Sequence, residues 1–262
     1  MKLIHTYKPI TIGKIDKKLI YQLTLSALLA KRHYGNIVLY TDPETANIVR
    51  KVGIPYDEIN TETLSQYNGK AYTLPKMFVY AEQTEPFIHI DIDTFLFNKI
   101  TVKDDKSIYC TFQEGLTDYI EYDERHMNFH NTYIKNSFEL LPKLDKKFVD
   151  FINFEGIYNT CFFGGYEHKL ISEATKYCLD IYNKNSQFID SEYYNGVMIE
   201  QMLIPAAIRM ICDDNGIDPR FEPIYNDKIP NTFYGIDKGK IKYPLTLQSG
   251  SDILFIRNEI DL

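Results

Sequence analysis

Tryptophan is absent from this chain, and cysteine is scarce. The four cysteines (Cys110, Cys161, Cys178 and Cys212) lie far apart, with no C-x-x-C pair. That spacing excludes a paired-cysteine zinc site and a small-protein disulfide framework, and predicts reduced thiols in a cytoplasmic protein. No apolar run approaches the length of a membrane span. The N-terminal "MKLIHTYKPITIGKID" has neither a long apolar segment nor a small-residue cleavage site, so no signal peptide is expected there. No N-x-S/T acceptor occurs. A basic excess is missing as well. The net charge is −7, which argues against a nucleic-acid partner, since those need a positive surface. With no repeat, low-complexity tract or linker, residues 1–262 are expected to form a single domain.

What is present is ordinary globular material: 44% hydrophobic and 25% charged residues, with 21 tyrosines that supply flat faces with a polar handle. "KLIHTYK" is expected to be a first strand. "IDKKLIYQLTLSALLAKRHYG" puts Ile20, Leu23, Ala27 and Ala30 on one helical stripe, with Gly35 as its stop and His33 as a cation near the helix C-terminus. "NIVLYTD" predicts a buried strand, and Asp42-Pro43 a helix start through about Val52. "IPYDEI" follows as a strand, "LPKMFVYAEQ" as a helix and "PFIHIDIDTFLF" as another strand. Such alternation predicts an α/β sheet covered on both faces.

In the second half, "SIYCTFQE" and "NTCFFGG" are strand candidates flanking an irregular segment from about 116 to 150. "HKLISEATKYCLDIYNKN" carries a Leu170, Ala174, Tyr177 and Ile181 stripe. "SEYYNGVMIEQMLIPAAIRMICDDNG" predicts a helix apolar on nearly every face, hence buried. "RFEPIY" and "DILFIRN" are short strand candidates. "CDDNGIDP" is read as a turn, because it lacks the acid spacing of a calcium loop.

The chemistry centres on Asp91 and Asp93 in "EPFIHIDIDTFLFN". Ligands of open α/β sheets gather beyond the carboxyl ends of the strands. Two carboxylates spaced two apart on a strand point the same way, so both can serve one hard cation completed by water and phosphate oxygens. The plainer alternative is a strand end with two solvated acids paired to lysines. "YNTCFFGG" places Asn159 beside Gly164 and Gly165, glycines that a strand-end turn would explain equally well. "EQML" places Glu200 and Gln201 among apolar neighbours, so this acid and amide need partners. Pro205 removes the backbone bond to the Gln201 carbonyl and bends or ends the helix there. A cleft wall is one reading of that helix; a salt bridge from Glu200 to Arg209 or another basic residue is the other.

The segment "AYTLPKMFVYAEQTEPFIHIDIDTFLF" resembles the D-x-D region of nucleotide-sugar glycosyltransferases with the GT-A fold. It is most similar to the glycogenin-like and lipopolysaccharide-galactosyltransferase-like members. Their T-x-x-[RK] helix precedes an apolar strand ending in D-x-D, and the matching positions are Thr73, Lys76, Asp91 and Asp93. The resemblance implies a GT-A-like, mainly parallel mixed sheet with flanking helices. Residues from 1 to about 100 would form a nucleotide-binding half, and those from about 101 to 262 an acceptor- and sugar-binding half. It implies a Mn2+ or Mg2+ ion on Asp91 and Asp93 holding the diphosphate of a UDP- or GDP-sugar, with Lys76 on the donor. Asn159, with Gly164 and Gly165 after it, corresponds to the F-N-x-G strand that helps bind the donor sugar, although Cys161 replaces its glycine. Glu200 and Gln201 correspond to the D-Q-x-x-L residues facing the transferred sugar, and the resemblance assigns them the catalytic role. A glycan or lipid-linked acceptor, retention of configuration and a cytoplasmic location reaching the inner membrane face are implied with it, as is a bacterial polysaccharide-biosynthesis setting.

One departure stands out. Relatives end in H-x-x-G-x-x-K, which supplies a third metal ligand and a phosphate-binding lysine. Here the last histidine is His168, and the counterpart "YPLTLQSGSD" has neither residue. Lys238, Lys240 and Lys242 are alternative sources of phosphate charge. "ERHMNFH" spaces His126 and His130 four apart near Glu124, but without a second ligand cluster it favours an acceptor-loop or surface role over zinc. Two rival readings stay open. One is a GT-A-like binding protein without turnover. The other is a haloacid-dehalogenase-type phosphatase, whose D-x-D-x-[TV] motif is broken by Phe95.

Overall fold

The computed structural model describes residues 1–9, 17–96, 99–103, 107–114, 143–155, 157–191 and 195–224. Alternating strands and helices open the chain: β1 (Lys2–Tyr7), α1 (Lys17–Tyr34), β2 (Ile37–Thr41), α2 (Pro43–Val52), β3 (Glu58–Asn60), α3 (Leu74–Ala81) and β4 (Phe87–Ile90). The local signals act as expected. Leu23, Ala27 and Ala30 of α1 are fully buried, and Gly35 follows it at φ 79°. Asp42 caps α2 by accepting from the Glu44 and Thr45 amides at 2.9 and 3.0 Å, and Gly53 closes it in the left-handed region at φ 81°. β3 begins later than "IPYDEI" suggests. Asp57 instead ties the loop to β2, its Oδ2 accepting from the Ile37 amide at 2.8 Å, and only a short edge strand remains.

The second half contributes β5 (Ser107–Glu114), α4 (Lys146–Glu155), β6 (Ile157–Gly165), α5 (His168–Ile189), α6 (Asn195–Met198), α7 (Ile204–Asp214) and β7 (Arg220–Pro223). Helix α4 corrects the expectation of an irregular chain up to residue 150. Asp145 starts it by accepting from the Lys147 amide at 2.9 Å, and Phe148 anchors it in the core. The predicted turn after α7 is present: Gly216 takes φ 64°, and the Ile217 amide donates to the Cys212 carbonyl at 2.8 Å. The four cysteines are free thiols, three of them buried and Cys161 half-buried.

Among the described residues the seven strands form one mixed sheet in the order β3-β2-β1-β4-β6-β5-β7. Pairing is parallel from β3 through β4 and between β5 and β7; only β6 runs against its neighbours. One apolar layer packs α1 and α2 against Leu3, Leu39, Ile88 and Ile90. The other packs α3, α5 and α7 against Ile4, Val38, Phe87 and Phe163. This arrangement is the α/β sheet covered on both faces that the pattern of apolar strands predicts, and a single sheet runs through both halves of the chain.

The order also locates a crevice. The chain moves outward from β1 to β2 to β3, then returns across β1 to lay β4 on its other side. Because parallel crossovers are right-handed, reversing direction along a sheet puts the connecting helix on the opposite face, and α3 lies opposite α1 and α2. The switch point therefore falls between β1 and β4, whose carboxyl ends lead into Lys8 and Asp91. Open α/β sheets bind ligands at such a point.

Candidate functional site

Strand β4 delivers four fully buried residues, Phe87 to Ile90, and stops there. Its last ladder bond runs from the Asp91 amide to the Cys161 carbonyl of β6 at 2.9 Å. Beyond it the Thr94 amide donates back to the Asp91 carbonyl at 2.9 Å, closing a turn over Asp91–Thr94. The two aspartates are thus carried by a turn at the strand end, and the period-two argument for their shared direction does not apply to Asp93. Both are half-buried.

Lys76 reaches this turn from the first turn of α3. Its Nζ lies 2.6 Å from Asp91 Oδ1 and 3.1 Å from Glu200 Oε1. Glu200 has no exposed surface and also accepts from the Tyr80 hydroxyl at 3.2 Å. Burial by itself lowers the Lys76 pKa, but Asp91 and Glu200 outweigh it and together hold the pKa well above the ordinary lysine value. Burial pushes the Glu200 carboxyl up, Lys76 opposes this, and Asp91 adds to it. The result is a cation held between two carboxylates, one at the mouth of the crevice and one inside the protein. Glu200 has its basic partner in Lys76. Arg209, the other candidate, pairs with Asp218 at 2.5 Å.

Glu200 is aimed by an irregularity in its helix. Between α6 and α7, residues Ile199–Leu203 form a π-helical turn, in which the Ile204 amide donates five residues back to the Ile199 carbonyl. Pro205 is the cause that the sequence supplies. It has no N–H for the Gln201 carbonyl, and the ladder slips by one residue just ahead of it. Gly196 brings α6 onto the start of α3: a Cβ there would lie 2.5 Å from Thr73 Oγ1 and 2.9 Å from Leu74 Cδ2. That close approach brings Lys76 and Glu200 together.

The other expected residues fall in two groups. Gln201 is half-buried on the same π-turn as Glu200. Asn159 lies on β6 two residues beyond Cys161, at the Asp91 end of the seam, and its Oδ1 accepts from the Cys161 amide at 3.1 Å. Gly164 and Gly165 lie elsewhere. They pair with Ile88 and Phe87, so Gly165 is about 13 Å along the strand from Asp91. Their role there is backbone contact. Gly164 takes φ 139° with its missing Cβ aimed at the Phe87 carbonyl, and Gly165 takes φ 147° against the Ser107 carbonyl. Glu124, His126, His130, Lys238, Lys240, Lys242 and the segments 243–252 and "DILFIRN" lie outside the described residues.

Three neighbours were not singled out by sequence. Tyr80 holds Glu200 and sits one helical turn after Lys76, a spacing that in itself suggests a shared face. His89 is fully buried, with no hydrogen-bond partner at either ring nitrogen among the described residues, and its Nδ1 is 3.9 Å from Asp91 Oδ1. Its position two residues before Asp91 was the available signal. Tyr72, 36% exposed, lies within electrostatic range of Lys76, Glu200 and Asp91.

Asp91 and Asp93 offer hard carboxylate oxygens at the open end of a strand, and that donor set fits a magnesium- or manganese-like ion sharing its shell with phosphate and water. Among the described residues, no group of three or more histidine, cysteine or acidic side chains is gathered to hold a metal by itself. No helix among them is long and apolar enough to cross a membrane.

A family model described as a family of unknown function, DUF6734, matches residues 9–241. No curated protein matches the chain.

Proposed function

The chain belongs to DUF6734, a family of unknown function, and we propose that this member is a glycosyltransferase. It would move a sugar from a UDP- or GDP-sugar to a hydroxyl of a glycan or lipid-linked acceptor. One observation carries the reading. Lys76, Asp91 and Glu200 come from three separated segments and meet within hydrogen-bonding distance at the carboxyl end of β4, beside the switch point of the sheet. The glycosyltransferase resemblance assigns Lys76 and Asp91 to donor binding and Glu200 to the catalytic position facing the transferred sugar. A sheet that is parallel except for β6 supports the finer GT-A-like assignment within the same proposal.

In this reading Lys76 gives positive charge to the donor diphosphate, and Gln201 and Asn159 contact the sugar with Glu200. A divalent ion on Asp91 and Asp93 would neutralise the leaving diphosphate. Glu200 supplies a fixed negative charge in a site with little water, where it acts more strongly on positive charge developing at the anomeric carbon than it would in solvent. Retention of configuration and a cytoplasmic location at the membrane face rest on the resemblance alone.

A thermal-shift panel of nucleotide-sugars with and without manganese tests the proposal, since a ligand bound to the native state raises its melting temperature. UDP- or GDP-sugars should stabilise the protein, and Asp91→Asn and Asp93→Asn should each remove the manganese-dependent part. Glu200→Gln should lower turnover more than donor affinity. Absence of any nucleotide-sugar effect sinks the proposal. Stabilisation without sugar release would mark a binding protein, and hydrolysis of p-nitrophenyl phosphate a phosphatase.

A further inference from the structure

Lys76 is in the place where the expected metal chemistry would act. Its ammonium lies 2.6 Å from Asp91 Oδ1, at the mouth of the crevice, and 3.1 Å from Glu200 Oε1, inside it. A carboxylate closely paired with an ammonium is a poor ligand for a divalent ion, because the two cations repel at so short a separation and the ammonium already takes up one of its two oxygens. Lys76 is also unable to withdraw into solvent. It is 8% exposed, and its other partner, Glu200, is fully buried. The pair therefore has two stable uses for one positive charge: shared between Asp91 and Glu200, or kept by Glu200 and offered outward.

We propose that Lys76 is the resident cation of Asp91, excluding a divalent metal until an anionic ligand takes over the ammonium. Glu200 is the anchor that keeps the lysine in place in both states. The metal then enters together with a diphosphate, and the empty crevice is protected against binding free divalent ions. Identifying the anion as a diphosphate rests on the glycosyltransferase reading; the competition between ammonium and metal for Asp91 does not.

The test uses Mn2+ alone, with no nucleotide, titrated into the protein and followed by the paramagnetic resonance signal of free manganese. The wild type should bind Mn2+ alone only weakly, and micromolar binding overturns the proposal without any variant. Lys76→Met leaves a buried carboxylate unpaired and is expected to fold poorly. The deciding variant is therefore Lys76→Met combined with Glu200→Gln, which keeps the net charge of the cluster unchanged. It should bind Mn2+ alone about ten-fold tighter or more, and lose that gain when Asp91→Asn is added. Equal or weaker binding than the wild type overturns the proposal, since electrostatics of the cluster as a whole would then explain the site. Failure of every nucleotide-sugar to stabilise the wild type would remove the glycosyltransferase reading and leave this comparison intact.

Discussion

His5 and His89 sit fully buried on the paired strands β1 and β4, and burial pushes both imidazoles towards the neutral form. His5 falls to about 3. Its bonds give it a fixed direction. The Tyr56 hydroxyl donates to Nδ1 at 2.6 Å, Nε2–H donates to Ser26 Oγ at 3.2 Å, and Ser26 donates to the Thr94 carbonyl at 2.7 Å. The chain of bonds ends one residue after Asp93, so it braces the turn that carries both aspartates. An unfolded histidine takes up its proton near pH 6.5, whereas His5 resists it down to its lowered value. Stability that is complete above pH 6.5 is therefore lost as pH falls, at about 1.4 kcal/mol per pH unit for each such histidine. Urea unfolding between pH 6 and 4.5 should show a slope shallower by that amount in His5→Gln. Equal slopes in the two proteins would contradict the assignment. At this scale the sequence exposed Asp91 and Glu200 as polar groups in an apolar setting, and Lys76 only through the glycosyltransferase resemblance. For Tyr80 and His89 the sequence held only a spacing signal, because their roles come from contacts made across the fold.

Among the elements, the helices α3 and α6 and the π-turn decide the site. Pro205 was legible as a break, and the tertiary structure supplied what the resulting π-turn aims Glu200 at, the Lys76 ammonium and the Tyr80 hydroxyl. Gly196 was not legible, because nothing in "YYNGVM" says that α3 passes so close. Gly196→Ala should push its new methyl into Thr73 and Leu74 and destabilise the protein by about 1–3 kcal/mol, as overpacking does. It should also separate Lys76 from Glu200, so nucleotide-sugar stabilisation should fall with it. Val197→Ala, one residue on and also buried, serves as the control. It should lose stability by cavity formation while keeping the ligand response. An identical ligand response in the two variants would show that the α3–α6 approach does not matter to the site.

For the whole molecule, β6 is the strand that joins the halves, pairing with β4 on one side and β5 on the other. Gly164 and Gly165 lie on that seam at its far end from Asp91. Their importance is to the sheet: at φ 139° and with the Phe87 carbonyl where a Cβ would stand, Gly164 admits no side chain without moving β4. Gly164→Ala should therefore cost about 3 kcal/mol or more, combining backbone strain with overpacking. Chemical unfolding followed by circular dichroism checks the magnitude. A loss below about 1 kcal/mol would mean that the seam adapts.

The sequence by itself determined the alternation of strands and helices, the caps at Asp42 and Gly53, the apolar strand that leads into two aspartates and the break at Pro205. These are set by periodicity and by backbone chemistry within a few residues. Only the tertiary structure decided the order of the strands, the switch point between β1 and β4, and the sharing of Lys76 between Asp91 and Glu200. Those depend on which surfaces meet across the sheet, and a buried charge takes its partner from whatever the packing brings within reach.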